Sequence, residues 1–158
     1  MKATQTKKAK KAAKTKKTEK TQIGWQEWIG FPEFGIDRIK AKIDTGARTS
    51  VIHAFRVRKM EDEDEPRVEF YLHPVQHRRN PELRCIARIV DERIIRSSNG
   101  KSEKRYVIIT PMRLGDKVWP IELTLSNRDQ MGFRVLAGRA AIRKRCIVDP
   151  GSSFLLGR

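Results

Sequence analysis

The 158-residue sequence predicts an all-β fold with one short C-terminal helix, and three observations carry that expectation. Apolar and polar residues alternate in several segments, turn-forming residues recur between those segments, and only residues 138–145 read as helix. A hydrophobic content of 38% supports one moderate core, and the length leaves room for a single domain.

The elements follow in chain order. Residues 1–20 carry nine Lys and one Glu, half of the net charge of +16. Only Ala interrupts the Lys and Thr there, so the segment buries too little apolar surface to offset its ordering entropy. Residues 1–21 are therefore expected to be a disordered tail ahead of a domain spanning 22–158. The tail suits either an electrostatic tether to a polyanion such as rRNA, through counterion release, or a solubilising segment. No aromatic interleaves its lysines, which argues against base stacking.

Trp25, Trp28 and the aromatics from Phe31 to Phe34 suit a first strand and a turn at Phe31-Pro32-Glu33-Phe34-Gly35. Ile39, Ala41 and Ile43 alternate with Lys40 and Lys42, the period of a half-buried strand, and that strand ends at Asp44. After a glycine turn, Ser50 to Arg58 reads as one further strand. The acidic run Glu61 to Glu65 before Pro66 is a solvated loop, and Val68, Phe70 and Leu72 alternating with Glu69 and Tyr71 give an amphipathic strand. Residues 73–84 read as loop and Cys85 to Arg96 as strand. Asn99-Gly100, between Ile94-Ile95 and Tyr106 to Ile109, signals a hairpin because both residues tolerate positive φ. Val118 to Ser126 alternates again, and Asp149-Pro150-Gly151 turns the chain before Phe154-Leu155-Leu156.

The segment KIDTGARTS, residues 42–50, carries the strongest chemical signal. An acid at a strand end, followed by a small hydroxyl residue and glycine, holds a carboxylate still at a tight turn. Gly46 permits the reversal, and Thr45 can return its hydroxyl to neighbouring backbone. Asp-Thr-Gly is also an ordinary turn sequence, so the triplet by itself does not decide between catalysis and a turn.

The second half of the chain adds Val135-Leu136-Ala137-Gly138-Arg139, an apolar run ending in Gly-Arg, then the helix-compatible Ala140 to Lys144. The two segments resemble the retropepsins, in which a D-T-G-A strand end and an apolar-apolar-Gly-Arg segment pack together. Read from Ile23 to Gly157, through GWQEWIGFPEFGIDRIKAKIDTGARTSVIHA, RSSNGKSEKRYVI, ELTLSNRDQMGFRVLAGRAAI and CIVDPGSSFLLG, the sequence resembles the bacterial RimB-like family of retropepsin-like aspartic endopeptidases. That family was formerly labelled as putative ATP-dependent zinc proteases. The resemblance implies a small closed barrel, with Asp44, Thr45 and Gly46 as catalytic residues. It also implies that the Asn99-Gly100 hairpin is a flap over the substrate.

Aspartic proteolysis needs two carboxylates sharing one proton, and this chain offers one such Asp. Asp149 is followed by Pro150 where the hydroxyl residue should stand, and reads as a turn. A twofold homodimer with one Asp44 from each subunit is the expected arrangement, and the resemblance gives Phe154 to Leu156 a place in the interface.

The expected substrate-binding set is Ala47, Arg48, Asn99, Gly100, Arg105, Arg128, Gly138 and Arg139. Viral relatives often carry an acid or Asn where Arg48 stands, so the acid that Arg139 would pair with is absent. Arginines facing the cleft would favour a carboxylate-bearing peptide or protein, because guanidinium binds carboxylate through two parallel hydrogen bonds. As surface arginines they would bind nothing in particular. Genes of the resembled family often neighbour RimK-type glutamate ligases, which implies an acidic or glutamylated ribosomal-protein substrate.

Other chemistries fit poorly. His73 and His77 have an i, i+4 spacing, but Pro74 and Pro81 place them in an exposed loop, and the Glu of the zinc-protease motif is missing. No metal and no cofactor is expected. Neither phosphate-binding glycine motif is present. Cys85 and Cys146 read as small buried thiols. No apolar run of 18 residues exists and no secretory h-region precedes the domain, so a cytoplasmic protein without membrane contact is expected. Two other functions stay open: a non-catalytic module for a ligase or the ribosome, with Asp44 structural, and an RNA-associated protein acting through its tail.

Overall fold

The computed structural model describes residues 19–61, 64–75, 78–96, 99–127 and 132–157. Most of the expected tail, His77 and Arg128 lie outside the described residues. The chain is built from β1 (Thr21–Gly24), β2 (Gln26–Phe31), β3 (Ile36–Asp44), β4 (Ser50–His53), β5 (Phe55–Met60), β6 (Arg67–Leu72) and β7 (Leu83–Arg88). β8 (Asp91–Arg96), β9 (Ser102–Leu114), β10 (Lys117–Ser126), β11 (Val135–Gly138), the short helix α1 (Arg139–Ile142) and β12 (Cys146–Asp149) complete it.

The main sheet runs β10-β4-β11-β3-β2-β9-β8, and β10 also pairs with β9. The hydrogen-bonded path therefore returns to its start through β9 and β10, with β8 attached outside the ring. Such closure leaves few open edges. Ile29, Ile39, Ala41, Ile108, Leu123 and Val135 fill the interior, each at most 2% exposed. This matches the all-β reading with one short helix, although α1 covers only the first part of the segment read as helical.

The local signals act as expected at most turns. Between β2 and β3, Pro32 opens a 3₁₀ turn over Pro32–Phe34, and Gly35 closes it with φ at 69°. β8 and β9 form the expected hairpin, paired from Asp91↔Val107 to Arg96↔Ser102, with Gly100 at φ 84°. Lys101 N–H donates to the Asn99 side-chain oxygen at 3.1 Å, an Asx turn that the sequence invites. The Gly115-Asp116 pair joins Leu114 to Lys117 in a two-residue hairpin, with Gly115 at φ 64°.

Two stretches read as single strands are each divided. Ser50 to Arg58 splits at Ala54, whose N–H donates to Ser126 O at 2.9 Å, and the chain then leaves the barrel for the three-stranded sheet β5-β6-β7. All four residues of β4 are buried, whereas β5 alternates, so one segment changes its environment midway. Cys85 to Arg96 likewise splits between β7 of the small sheet and β8 of the barrel sheet, and the strand begins two residues earlier, at Leu83. The small sheet shares the barrel's core, with Phe34 packing edge-on against Phe70 at 5.6 Å.

Glu69, expected on the solvent face of β6, is instead only 8% exposed. Arg84 Nε donates to it at 2.8 Å from β7, and Arg58 reaches it at 3.3 Å from β5. Hydrogen bonding from Arg84, opposed by burial and helped by Arg58, holds its carboxyl below the usual carboxylate range.

Candidate active site

Asp44 sits at the C-terminal end of β3, half-buried, where the inward residues Ile39, Ala41 and Ile43 anchor the strand. Its Oδ1 accepts the Gly46 N–H at 3.1 Å, and its backbone oxygen accepts the Ala47 N–H at 3.2 Å. The turn thus fixes the carboxylate from its own backbone. The Thr45 side chain is exposed, and the bond that orients Asp44 comes from Gly46 N–H rather than from the Thr45 hydroxyl.

β11 lies parallel to β3 in the register Val135↔Ala41 to Gly138↔Asp44, which sets the second motif beside the first. Arg139 N–H donates to Ala47 O at 2.8 Å, and Ala140 N–H donates to Arg48 O at 3.0 Å. The Arg139 guanidinium donates to Thr45 O at 3.0 Å. Where a relative's arginine would pair with an acid, this one holds the backbone of the Asp-Thr-Gly turn. Ser50, which sequence reasoning passed over, completes the frame: its hydroxyl accepts Gly138 N–H at 3.0 Å, and its carbonyl accepts the Thr124 hydroxyl at 2.8 Å. A small hydroxyl residue opening a strand just after the motif was the available signal.

Gly138 is required here for space. A Cβ at that position would lie 2.7 Å from Thr49 C and 2.8 Å from both Arg48 O and Thr49 O, all backbone atoms. Gly138→Ala is expected to destabilise the protein by about 2 kcal/mol, lowering the thermal midpoint by roughly 4–8 °C. A thermal unfolding curve checks this, and an unchanged midpoint would mean that the Arg48–Thr49 backbone does not pack on β11.

The remaining predicted residues are distributed as follows. Ala47 is half-buried and Arg48 exposed, both on the loop after Asp44. Asn99 and Gly100 stand at the tip of the β8–β9 hairpin, exposed. Arg105 lies on that hairpin, only 9% exposed, with Nε donating to Glu103 at 2.9 Å. Glu103 also accepts the Ser126 hydroxyl at 2.9 Å, tying the hairpin to the end of β10. The structure therefore gathers Ala47, Arg48, Gly138 and Arg139 around the Asp44 turn through strand pairing and backbone hydrogen bonds, and carries Asn99, Gly100 and Arg105 on a separate hairpin.

His73 is half-buried rather than fully exposed in its loop. His53 is 2% exposed at the end of β4, and His73 stacks on Phe55 with ring centroids 4.2 Å apart. The aromatic rings of Phe55 and Tyr71 give these imidazoles an apolar seat. No group of three potential metal ligands occurs among the described residues. Burial pushes the Cys85 thiol up to about 11, which keeps it protonated. Among the described residues no helix is long and apolar enough to cross a membrane.

Comparison with known proteins adds to this geometry. The chain is 53% identical over 135 residues to a probable alpha-L-glutamate ligase of Shewanella pealeana, covering 85% of this chain and 30% of that protein. It is 50% identical to a protein of the same name from Desulfotalea psychrophila, covering 85% and 29%. The chain thus spans about 30% of the length of these curated relatives. A crystal structure of a protein of unknown function from Legionella pneumophila superposes with a TM-score of 0.72 at 25% identity, covering 87% of this chain and 99% of that one. A family model for the retropepsin-like aspartic endopeptidase RimB matches residues 22–158, which include the Asp44 turn, the β8–β9 hairpin and the β11–α1 segment. The chain therefore belongs to the RimB-like family of retropepsin-like aspartic endopeptidases.

Proposed function

We propose that this chain is one half of a cytoplasmic aspartic endopeptidase that hydrolyses peptide bonds as a homodimer, each subunit contributing Asp44. The observation that carries this reading is the Asp44 carboxylate held by Gly46 N–H at a strand end braced by Gly138 and Arg139. One unprotonated Asp44 takes a proton from a water as its oxygen attacks the scissile carbonyl carbon. The protonated Asp44 of the partner subunit gives its proton to the carbonyl oxygen. When the diol collapses, one of its hydroxyls gives its proton to the partner subunit's carboxylate, the C–N bond breaks, and the amine leaves with the proton held by the first carboxyl. The pair returns to one shared proton. In this reading the β8–β9 hairpin closes over the peptide and excludes water.

The proposed substrate carries glutamate. Supporting this, the relatives named as glutamate ligases contain a segment like this chain, and Arg48 and Arg139 lie exposed beside Asp44. The Lys-rich tail would add a salt-sensitive tether to rRNA near such a substrate. Incubating the protein with an oligoglutamylated peptide and a neutral one, followed by mass spectrometry, tests the proposal. Preferential cleavage of the acidic peptide is expected; neither cleavage nor binding at low salt would count heavily against it. The ligase names of the relatives also favour a second reading, a binding module in which Asp44 is structural. That reading predicts capture of a ligase or acidic peptide without hydrolysis.

A further inference from the structure

The outward face of β3 carries more than its catalytic end. Ile39, Ala41 and Ile43 point into the core, so Arg38, Lys40, Lys42 and Asp44 share the opposite face. Successive residues on one face of a strand stand about 7 Å apart, which makes three cations in file leading to the Asp44 carboxylate. Cross-strand neighbours flank the file without neutralising it: Gln26 lies opposite Lys42 and Trp28 opposite Lys40 on β2, and Leu136 lies opposite Lys42 on β11. None of the three cations forms an ion pair among the described residues.

Ring contacts orient two of them instead. The Arg38 guanidinium lies 4.0 Å from the Trp28 ring centroid, and Lys40 Nζ lies 5.5 Å from that of Phe133. Three like charges in file repel one another and destabilise the strand that carries them. A ligand with matching negative charge removes that repulsion.

We propose that Arg38, Lys40 and Lys42 form a binding ladder for an extended acidic peptide, guiding it toward Asp44. An extended peptide also repeats its side-chain direction every second residue, so carboxylates at alternate positions meet the rungs at the same spacing. Consecutive phosphates of an extended nucleic-acid strand stand at a similar spacing, so the repeat alone does not separate the two; the file's approach to Asp44, proposed to act on peptide bonds, favours the acidic polypeptide. The ladder rests on the endopeptidase reading for its direction toward Asp44, but its binding is measured without cleavage.

The test uses the full chain carrying Asp44→Asn and fluorescein-labelled hexapeptides in an anisotropy titration. A Glu-Ala-Glu-Ala-Glu-Ala peptide should bind several-fold more tightly than Glu-Glu-Glu-Ala-Ala-Ala, which has the same charge but the wrong spacing. Lys40→Gln with Lys42→Gln should weaken the alternating peptide roughly tenfold and flatten its salt dependence. Equal affinity for the two peptides, or an unchanged Kd in the double variant, overturns the ladder. So does a uridine hexanucleotide weakened by the same factor as the peptide, since the surface would then be a general polyanion site. The peptide pair is compared on unaltered lysines, so the spacing result stands even if the double variant fails to fold. Binding with the expected spacing but no cleavage by the wild-type chain would keep the ladder and remove the endopeptidase reading.

Discussion

Asp44→Asn is expected to lower peptide-bond hydrolysis by roughly 10³–10⁴-fold, the upper range for loss of a positioned general acid or base. The substitution keeps the size of the side chain, and its amide oxygen can still accept Gly46 N–H, so the turn is expected to persist. The thermal midpoint and dimerisation should change little. A mixing experiment sharpens the result. If each site needs two Asp44 residues, exchanging subunits with an equal amount of the variant pairs half of the wild-type chains with an inactive partner. Activity then falls to about half of its value before mixing. Undiminished activity in the pure variant would remove Asp44 from the mechanism, and activity untouched by mixing would mean that each chain acts alone.

The site was legible in the sequence to the extent that its residues are close in the chain or carry a strong local signal. Ile39, Ala41 and Ile43 fix the face of β3, and a strand that alternates so regularly has one place to end, at Asp44. The placement of Gly138 opposite Asp44 depends on parallel pairing between strands almost a hundred residues apart. No periodicity reveals such a pairing, and it was reached through resemblance. The divisions at Ala54 and at Ile89-Val90 were not legible because apolar character continues through them while the chain passes from one sheet to another. Arg139 and Glu69 illustrate a further limit. Each looked like a solvated or substrate-facing charge, and each is engaged by groups from distant parts of the chain, the Thr45 carbonyl in one case and Arg84 with Arg58 in the other.

Glu27 is the residue whose importance the sequence concealed most fully, and its replacement is expected to have the largest effect on stability. It stands between Trp25 and Trp28 in a segment that reads as apolar packing, yet it is fully buried. Its carboxyl oxygens accept the Gly24 N–H at 2.7 Å, the Leu155 N–H at 2.9 Å and the Leu156 N–H at 3.3 Å. One side chain thus ties the C-terminal segment to the end of β1, beside the stack of Phe154 on Trp28 at 5.6 Å. Glu27→Ala leaves three donors without an acceptor, and each costs about 1–3 kcal/mol if it stays buried. Leu155 and Leu156 are partly exposed and can turn to water, so the net loss is expected at about 2–4 kcal/mol. Much of that loss should appear as release of the C-terminal segment rather than global unfolding. Amide hydrogen exchange separates the two: Leu155 and Leu156 should lose protection first, with the barrel core largely unchanged. Glu27→Gln keeps one oxygen acceptor but sets an NH₂ against a donor, and should fall between wild type and Glu27→Ala. If the released segment belongs to the subunit interface, as the resemblance implies, Glu27→Ala will also weaken dimerisation and with it any activity that depends on paired Asp44 residues. Unchanged protection at Leu155 and Leu156 would show that Glu27 does not hold the segment, and the loss of dimerisation would then need another cause.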